Sequence, residues 1–193
     1  MFAIFQDHLA SYGHHLNHTE WRSLREHLIP IAAIRGTILL DSAVVTQHLI
    51  FVSEGVAASI QTTPDGKQHI ARFFERGQLC SNLTSAWHQN ASSDALIAMS
   101  DFKGVQIPFA MFRDAFMSDG LLSRYWREMV LETLLFDKDL ICIKTMRDVE
   151  PRYRFLVDRY DHVVRTVPDK YIARFLGITP QGLSRFRKNF RPT

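Results

Sequence analysis

Seven residues, Leu122, Trp126, Met129, Thr133, Phe136, Leu140 and Ile143, follow one another at spacings of 4, 3, 4, 3, 4 and 3. This spacing keeps a single stripe of side chains on one side of an α-helix, with Thr133 as its polar member. Such a seam packs either on its own domain or on a second copy, and the pattern alone serves both. Because a basic, helical segment lies beyond it in the chain, residues 120–146 are read as a dimerisation helix. Charges at Trp126 and Leu140 are then expected to break the pairing.

The chain before this seam changes character twice. Residues 1–30 read as helical: Thr19 can cap a helix beginning at Glu20 and Trp21, with Leu24 and Leu28 on its apolar face. Ile29-Pro30 is expected to end it, since the residue before proline avoids the helical region. From 31 to 107, short β-rich runs alternate with turns: 37–40, 48–52, 56–63, 68–74, 95–99 and 105–107. Pro64-Asp65-Gly66-Lys67 reads as a hairpin turn, because proline presets φ and glycine accepts positive φ. Short strands about ten residues apart suggest a sandwich or jelly roll.

After the seam the chain is helical and basic. Pro151 suits a first helical turn. Tyr153, Leu156, Tyr160, Val163 and Val167 form an apolar stripe, and Pro168 breaks it. From residue 144 onward the net charge is +7, whereas the preceding residues carry −4. A basic end on an acidic body is the footprint of a nucleic-acid module. Within it, Ala173 is small enough for two helices to touch. Gly177 follows at the turn, and Leu183 can seat a second helix. Ile172, Leu176, Ile178 and Phe186 complete a buried face. Thr179 can cap the second helix, with Pro180 at its first position. Gln181, Arg185 and Lys188 then share the outer face. In a major groove, arginine can pair with guanine and glutamine with adenine. Arg187 and Arg191 are placed for phosphate contacts, which position without specifying.

Composition removes several classes. The chain is 46% hydrophobic and 22% charged, with 9 glycines and 7 prolines, so it is neither low-complexity nor wholly disordered. No apolar run approaches the roughly 18–20 residues of a membrane span. The N-terminus lacks the pattern of a secretory signal. Two cysteines, Cys80 and Cys142, suit a reducing cytoplasm and cannot supply a four-thiolate iron–sulfur cluster. His14 and His18 stand four apart in a polar stretch with no third ligand, and read as a surface pair rather than a metal or haem site. The strands offer only isolated His48 and His69, so a cupin-like metal enzyme is not supported. No catalytic, metal or cofactor site is expected.

Taken together, Leu49-Ile-Phe-Val-Ser-Glu-Gly55, Thr62-Thr-Pro-Asp-Gly-Lys-Gln68, Ala71-Arg-Phe-Phe-Glu-Arg-Gly77, and Tyr171 to Thr179 with Leu183-Ser-Arg185 resemble the CRP/FNR family of bacterial transcription regulators. The resemblance covers nearly the whole chain. It implies an α+β fold: an antiparallel β-roll (a double-stranded β-helix, or jelly roll) with flanking helices, a long central dimerisation helix and an all-α C-terminal helix-turn-helix. The expected division is 1–119 for the cyclic-nucleotide-binding-like roll, 120–146 for the central helix and 147–193 for the DNA-binding domain. Implied DNA-contacting residues are Thr179, Gln181, Ser184, Arg185, Arg187 and Lys188. Implied partners are double-stranded DNA, a second copy of the chain and RNA polymerase, in the cytoplasm and away from membranes.

The effector pocket departs from the family pattern. Cyclic-nucleotide members carry a Gly-Glu-Leu run that holds the ribose and, about ten residues on, an arginine that neutralises the phosphate. Registered on Gly77, this chain has Ser81-Asn82-Leu83 and then Ser92-Ser93. No lysine or arginine lies between Arg76 and Lys103. A buried phosphate without a cation is costly, so cyclic AMP is not the expected ligand. Cys80 reads as a buried thiol, and Trp87 and His88 as fillers of the pocket. Relatives often append a β-hairpin wing after the recognition helix. Here only residues 189–193 follow Lys188: either this branch lacks the wing or the sequence stops short of it, and contact is then expected to rest on the helix and the basic residues around it. The competing reading is an interaction protein of this fold that no longer binds DNA specifically.

Overall fold

The computed structural model describes residues 1–63 and 65–190. Two helices open the chain, α1 (Phe2–Ser11) and α2 (His18–Arg25). The cap of α2 is Asn17 rather than Thr19: its side chain accepts the Thr19 and Glu20 N–H groups, while Glu20 reaches back to the Asn17 N–H at 2.8 Å. That reciprocal box satisfies more orphan donors than a hydroxyl at 19 could. Pro30 does not end a helix. It lies within β1 (Ile29–Ala33), at the edge of a sheet, where a missing N–H costs nothing.

Two four-stranded antiparallel sheets form the roll. The further strands are β2 (Ile38–Leu40), β3 (His48–Glu54), β4 (Ala57–Thr62), β5 (Gln68–Phe74), β6 (Leu79–Cys80), β7 (Asp94–Ala98) and β8 (Phe102–Pro108). One sheet has the order β1-β8-β3-β6 and the other β2-β7-β4-β5. Gly55 turns β3 into β4 at φ +85°, and a Cβ there would fall 2.1 Å from the Asp101 carbonyl oxygen. Only glycine fits that approach. The hairpin proposed at 64–67 is bridged by Thr63 N–H to the Lys67 carbonyl at 2.9 Å, while Pro64 itself lies outside the described residues. A short helix, α3 (Leu83–His88), crosses between β6 and β7.

Helix α4 (Phe109–Met117) leads to α5 (Ser123–Thr145), the long helix forecast by the seam. The seam residues face the chain's own core. Leu122, Trp126 and Met129 join Phe5, Phe51 and Phe112 in one apolar cluster, and Leu140 joins another. Trp126 is 0% exposed, so a charge there would disrupt the subunit's own core. The side of α5 left in the open is a second stripe, Leu131, Leu134, Leu135 and Ile141, each 55–63% exposed.

The last helices are α6 (Val149–Arg159), α7 (Asp161–Thr166), α8 (Asp169–Leu176) and α9 (Pro180–Asn189). Their core is continuous with the outer side of β4 and β5. Tyr160, Val163, Ile172, Phe175 and Leu176 pack with Val56, Ala58, Ile70 and Phe73. Polar ties cross the same junction. The Val163 N–H donates to Glu75 at 2.9 Å, and Arg174 donates to Gln68 at 2.9 Å. Burial pushes the Glu75 carboxyl upward from its ordinary value. Among the described residues, no helix is long and apolar enough to cross a membrane.

Candidate nucleic-acid interface and effector cavity

The α8–α9 pair is built as the spacing requires. Ala173 is fully buried at the crossing. Gly177 ends α8 in the left-handed region at φ +67°, and the Ile178 N–H closes onto the Ala173 carbonyl at 3.0 Å. Arg152 adds a further cap by donating to the Leu176 carbonyl at 2.6 Å. The Thr179 hydroxyl accepts the Gly182 N–H at 3.0 Å, with Pro180 opening α9. Leu183 is fully buried and locks α9 to the core.

This docking decides which side chains of α9 face outward. Thr179, Gln181, Ser184, Arg185 and Lys188 are exposed. Arg185 and Lys188 have no hydrogen bond or ion pair among the described residues, so their donors are free. Arg187 differs from the expectation. Its guanidinium donates to Asp169 at 2.7 Å and to the Tyr153 hydroxyl at 3.1 Å, and only 28% of the side chain is exposed. Arg187 therefore holds α9 against α8 and α6. Arg191 lies outside the described residues.

A half-open cavity of about 810 Å³ lies between the roll and α5. All five expected pocket residues, Ser81, Asn82, Leu83, Ser92 and Ser93, line it. Their polar groups are largely used internally. Asn82 donates to the Asp94 carbonyl at 2.8 Å, Ser92 accepts the Asp94 N–H at 2.9 Å and Ser81 donates to the His48 carbonyl at 3.2 Å. The Asp94 carboxylate accepts from Ser59 at 2.8 Å and from Ser93 at 2.6 Å. Ser92, which stands where the family pattern has a cation, is thus bonded to Asp94. Trp87 does not fill the cavity: it is 47% exposed and sits edge-on to Phe109. His88 does line it. Cys80 also lines it, and burial pushes its thiol up, away from the reactive thiolate.

Two cations reach the cavity from outside residues 77–102. Arg72 comes from β5 and Lys144 from the last turn of α5. Arg72 pairs with Asp137 of α5 at 2.8 Å and is only 8% exposed. Its guanidinium lies 4.8 Å from the Phe74 ring centre and 4.4 Å from that of Phe136. Lys144 donates to the Ile70 carbonyl at 2.7 Å and to that of Ala71. Burial lowers its ammonium to about 8. The period-two step from Phe74 back to Arg72 was the available signal, since it puts a guanidinium beside an apolar side chain on one side of the strand. Among the described residues, no group of three or more His, Cys, Asp or Glu could hold a metal ion.

No protein-family model and no curated protein matches this chain. Solved structures do. A protein described as a CRP/FNR family transcriptional regulator, from Eubacterium rectale, matches with a TM-score of 0.68 at 17% identity, over 94% of this chain and 85% of its own. FixK2 from Bradyrhizobium japonicum matches at 0.65 and 14% identity, over 86% and 89%. The c-di-GMP-responsive global regulator CLP of Xanthomonas campestris matches at 0.61 and 16% identity, over 85% and 86%. The roll, long helix and helix-turn-helix are therefore the fold of CRP/FNR-type transcription regulators.

Proposed function

We propose that this chain is a homodimeric, sequence-specific DNA-binding transcription regulator that does not respond to cyclic AMP. The observation that carries this reading is the outer face of α9. A helix capped by Thr179 and locked by Leu183 presents Gln181, Ser184, Arg185 and Lys188 together, with both cationic side chains unspent. Base edges in a major groove are the surface such a helix fits. Thr179, at the helix start, is placed for a phosphate.

The dimer forms through the exposed stripe of α5 rather than through the buried seam. Leu131, Leu134, Leu135 and Ile141 are larger and more contiguous than an isolated apolar surface residue, and a second copy would cover them. Leu134 and Ile141 also stand at the cavity, so a ligand there lies beside the pairing face. Such a ligand acts by fitting one dimer state better than another. Against cyclic AMP stand Ser92 and Ser93 beside the Asp94 carboxylate where the family pattern has an arginine, while Arg72 is paired with Asp137 and Lys144 is held by backbone carbonyls.

An electrophoretic shift with the DNA upstream of the protein's own gene tests the reading. Wild type shifts it and Arg185→Glu does not, while both melt at similar temperatures. An equal shift by the folded variant refutes the role given to α9. Titration with cyclic AMP is expected to show no saturable binding in the micromolar range.

A further inference from the structure

We propose, resting on the effector-site reading of the cavity, that it binds an apolar monocarboxylate whose carboxylate docks on the free Nη2 of Arg72. The guanidinium carries its donors in one plane. Nη1 is taken by Asp137 at 2.8 Å, whereas Nε is buried with no partner and no bond to Nη2 occurs among the described residues. Nε is closed to the cavity, so Nη2 is the donor that a ligand oxygen can reach. A carboxylate oxygen there gains a charge-assisted hydrogen bond from a cation held out of water. The rings of Phe74 and Phe136 hold the guanidinium within about 5 Å and limit its movement.

The rest of the wall selects what is attached to that carboxylate. Phe74, Leu79, Leu83, Phe112, Met129 and Leu140 supply apolar surface for a hydrocarbon or aromatic body. A volume of about 810 Å³ lies in the range of small-molecule sites. The charge balance limits the head to a single negative charge. Arg72 and Lys144 are already offset by Asp94 and Asp137 on the same wall. Lys144 spends donors on the Ile70 and Ala71 carbonyls. A phosphate dianion would therefore meet two carboxylates with one guanidinium donor to hold it. Bound as described, the ligand rests on Arg72, which already joins β5 to Asp137 of α5, in the cavity beside the pairing stripe.

Calorimetric titration of the full chain with decanoate, decan-1-ol and inorganic phosphate tests this. Decanoate is expected to bind saturably and at least about tenfold more tightly than decan-1-ol, the fold-change of one charge-assisted hydrogen bond. Phosphate is expected to bind more weakly than either. Arg72→Gln abolishes the preference for decanoate over decan-1-ol in a protein that still melts cooperatively. Should Arg72→Gln not fold, Asp137→Asn decides: freeing Arg72 tightens decanoate and leaves decan-1-ol unchanged. Equal binding of acid and alcohol, decanoate bound undiminished by folded Arg72→Gln, or no tightening in Asp137→Asn overturns the proposal. The gel shift of the unliganded protein separates this from the regulator reading. Decanoate binding without a DNA shift sinks the regulator alone, and a shift without decanoate binding sinks the carboxylate site alone.

Discussion

Leu131 and Leu140 lie on one helix, yet replacing them should have opposite signatures. Leu140 is 5% exposed and packs in the cluster shared by the roll and the C-terminal helices. Leu140→Ala removes buried methyl groups and leaves a void, at a cost of about 2–5 kcal/mol. For a chain of this size that lowers Tm by roughly 5–15 °C. Leu131 is 56% exposed within one subunit, and an alanine there changes a lone chain's stability by at most about 0.5 kcal/mol. If Leu131 is covered by a second copy, Leu131→Glu places two carboxylates in that contact and leaves the subunit core untouched. Scanning calorimetry at several protein concentrations, beside sedimentation velocity, separates the two effects. A dimer's Tm rises with concentration by mass action. Leu140→Ala should keep the dimer mass and this dependence while melting earlier throughout. Leu131→Glu should sediment as a monomer whose Tm no longer depends on concentration. A Leu140→Ala protein that dissociates at unchanged Tm, or a Leu131→Glu protein that stays dimeric, would refute the assignment of the two stripes.

Other expectations rest on single contacts. Thr179→Ala removes the cap on Gly182 and should cost about 1 kcal/mol in chemical denaturation; no loss would mean water caps α9 as well. Arg187→Ala should lower stability and leave the salt dependence of DNA binding nearly unchanged, because its guanidinium is held by Asp169 and Tyr153. Lys188→Ala should instead reduce that slope by about one; the reverse pattern would reassign both residues. The Lys144 ammonium, lowered by burial to about 8 from 10.5, binds its proton less tightly folded than unfolded. Unfolding free energy should therefore rise from pH 8 towards pH 9, and flatten in Lys144→Gln. The Cys80 thiol, held up by burial, opposes this above its ordinary value of 9, and Tyr125 and Tyr160 do so above theirs of 10.

Local signals in the sequence located most of the elements. The run at 68–74 is β5 as read, and the Ala173, Gly177 and Leu183 spacing became α8, its turn and α9. What escaped depended on partners distant in the chain. Leu79–Cys80 is too short to show a period, and exists as a strand because β3 pairs with it. Pro30 reads as a helix stop until β8 is known to lie on one side of it and open space on the other. The seam in α5 is real, but its partners are Phe5, Phe51 and Phe112, which periodicity cannot name. The candidate site divides the same way. Ser81, Asn82, Leu83, Ser92 and Ser93 reach one cavity because a turn register placed them, whereas Arg72 and Lys144 arrive there through strand alternation and helix docking. Neither cation lies between residues 77 and 102, and only folding brings both to the cavity.

The regulator reading stands or falls on whether paired copies of α9 read DNA. Selection of binding sequences from a random duplex pool by the wild-type protein decides it. Enrichment is expected of a two-fold symmetric sequence whose half-sites lie about one helical turn, roughly 34 Å, apart. A pool that stays unenriched, or one that yields a single asymmetric half-site, would contradict that reading.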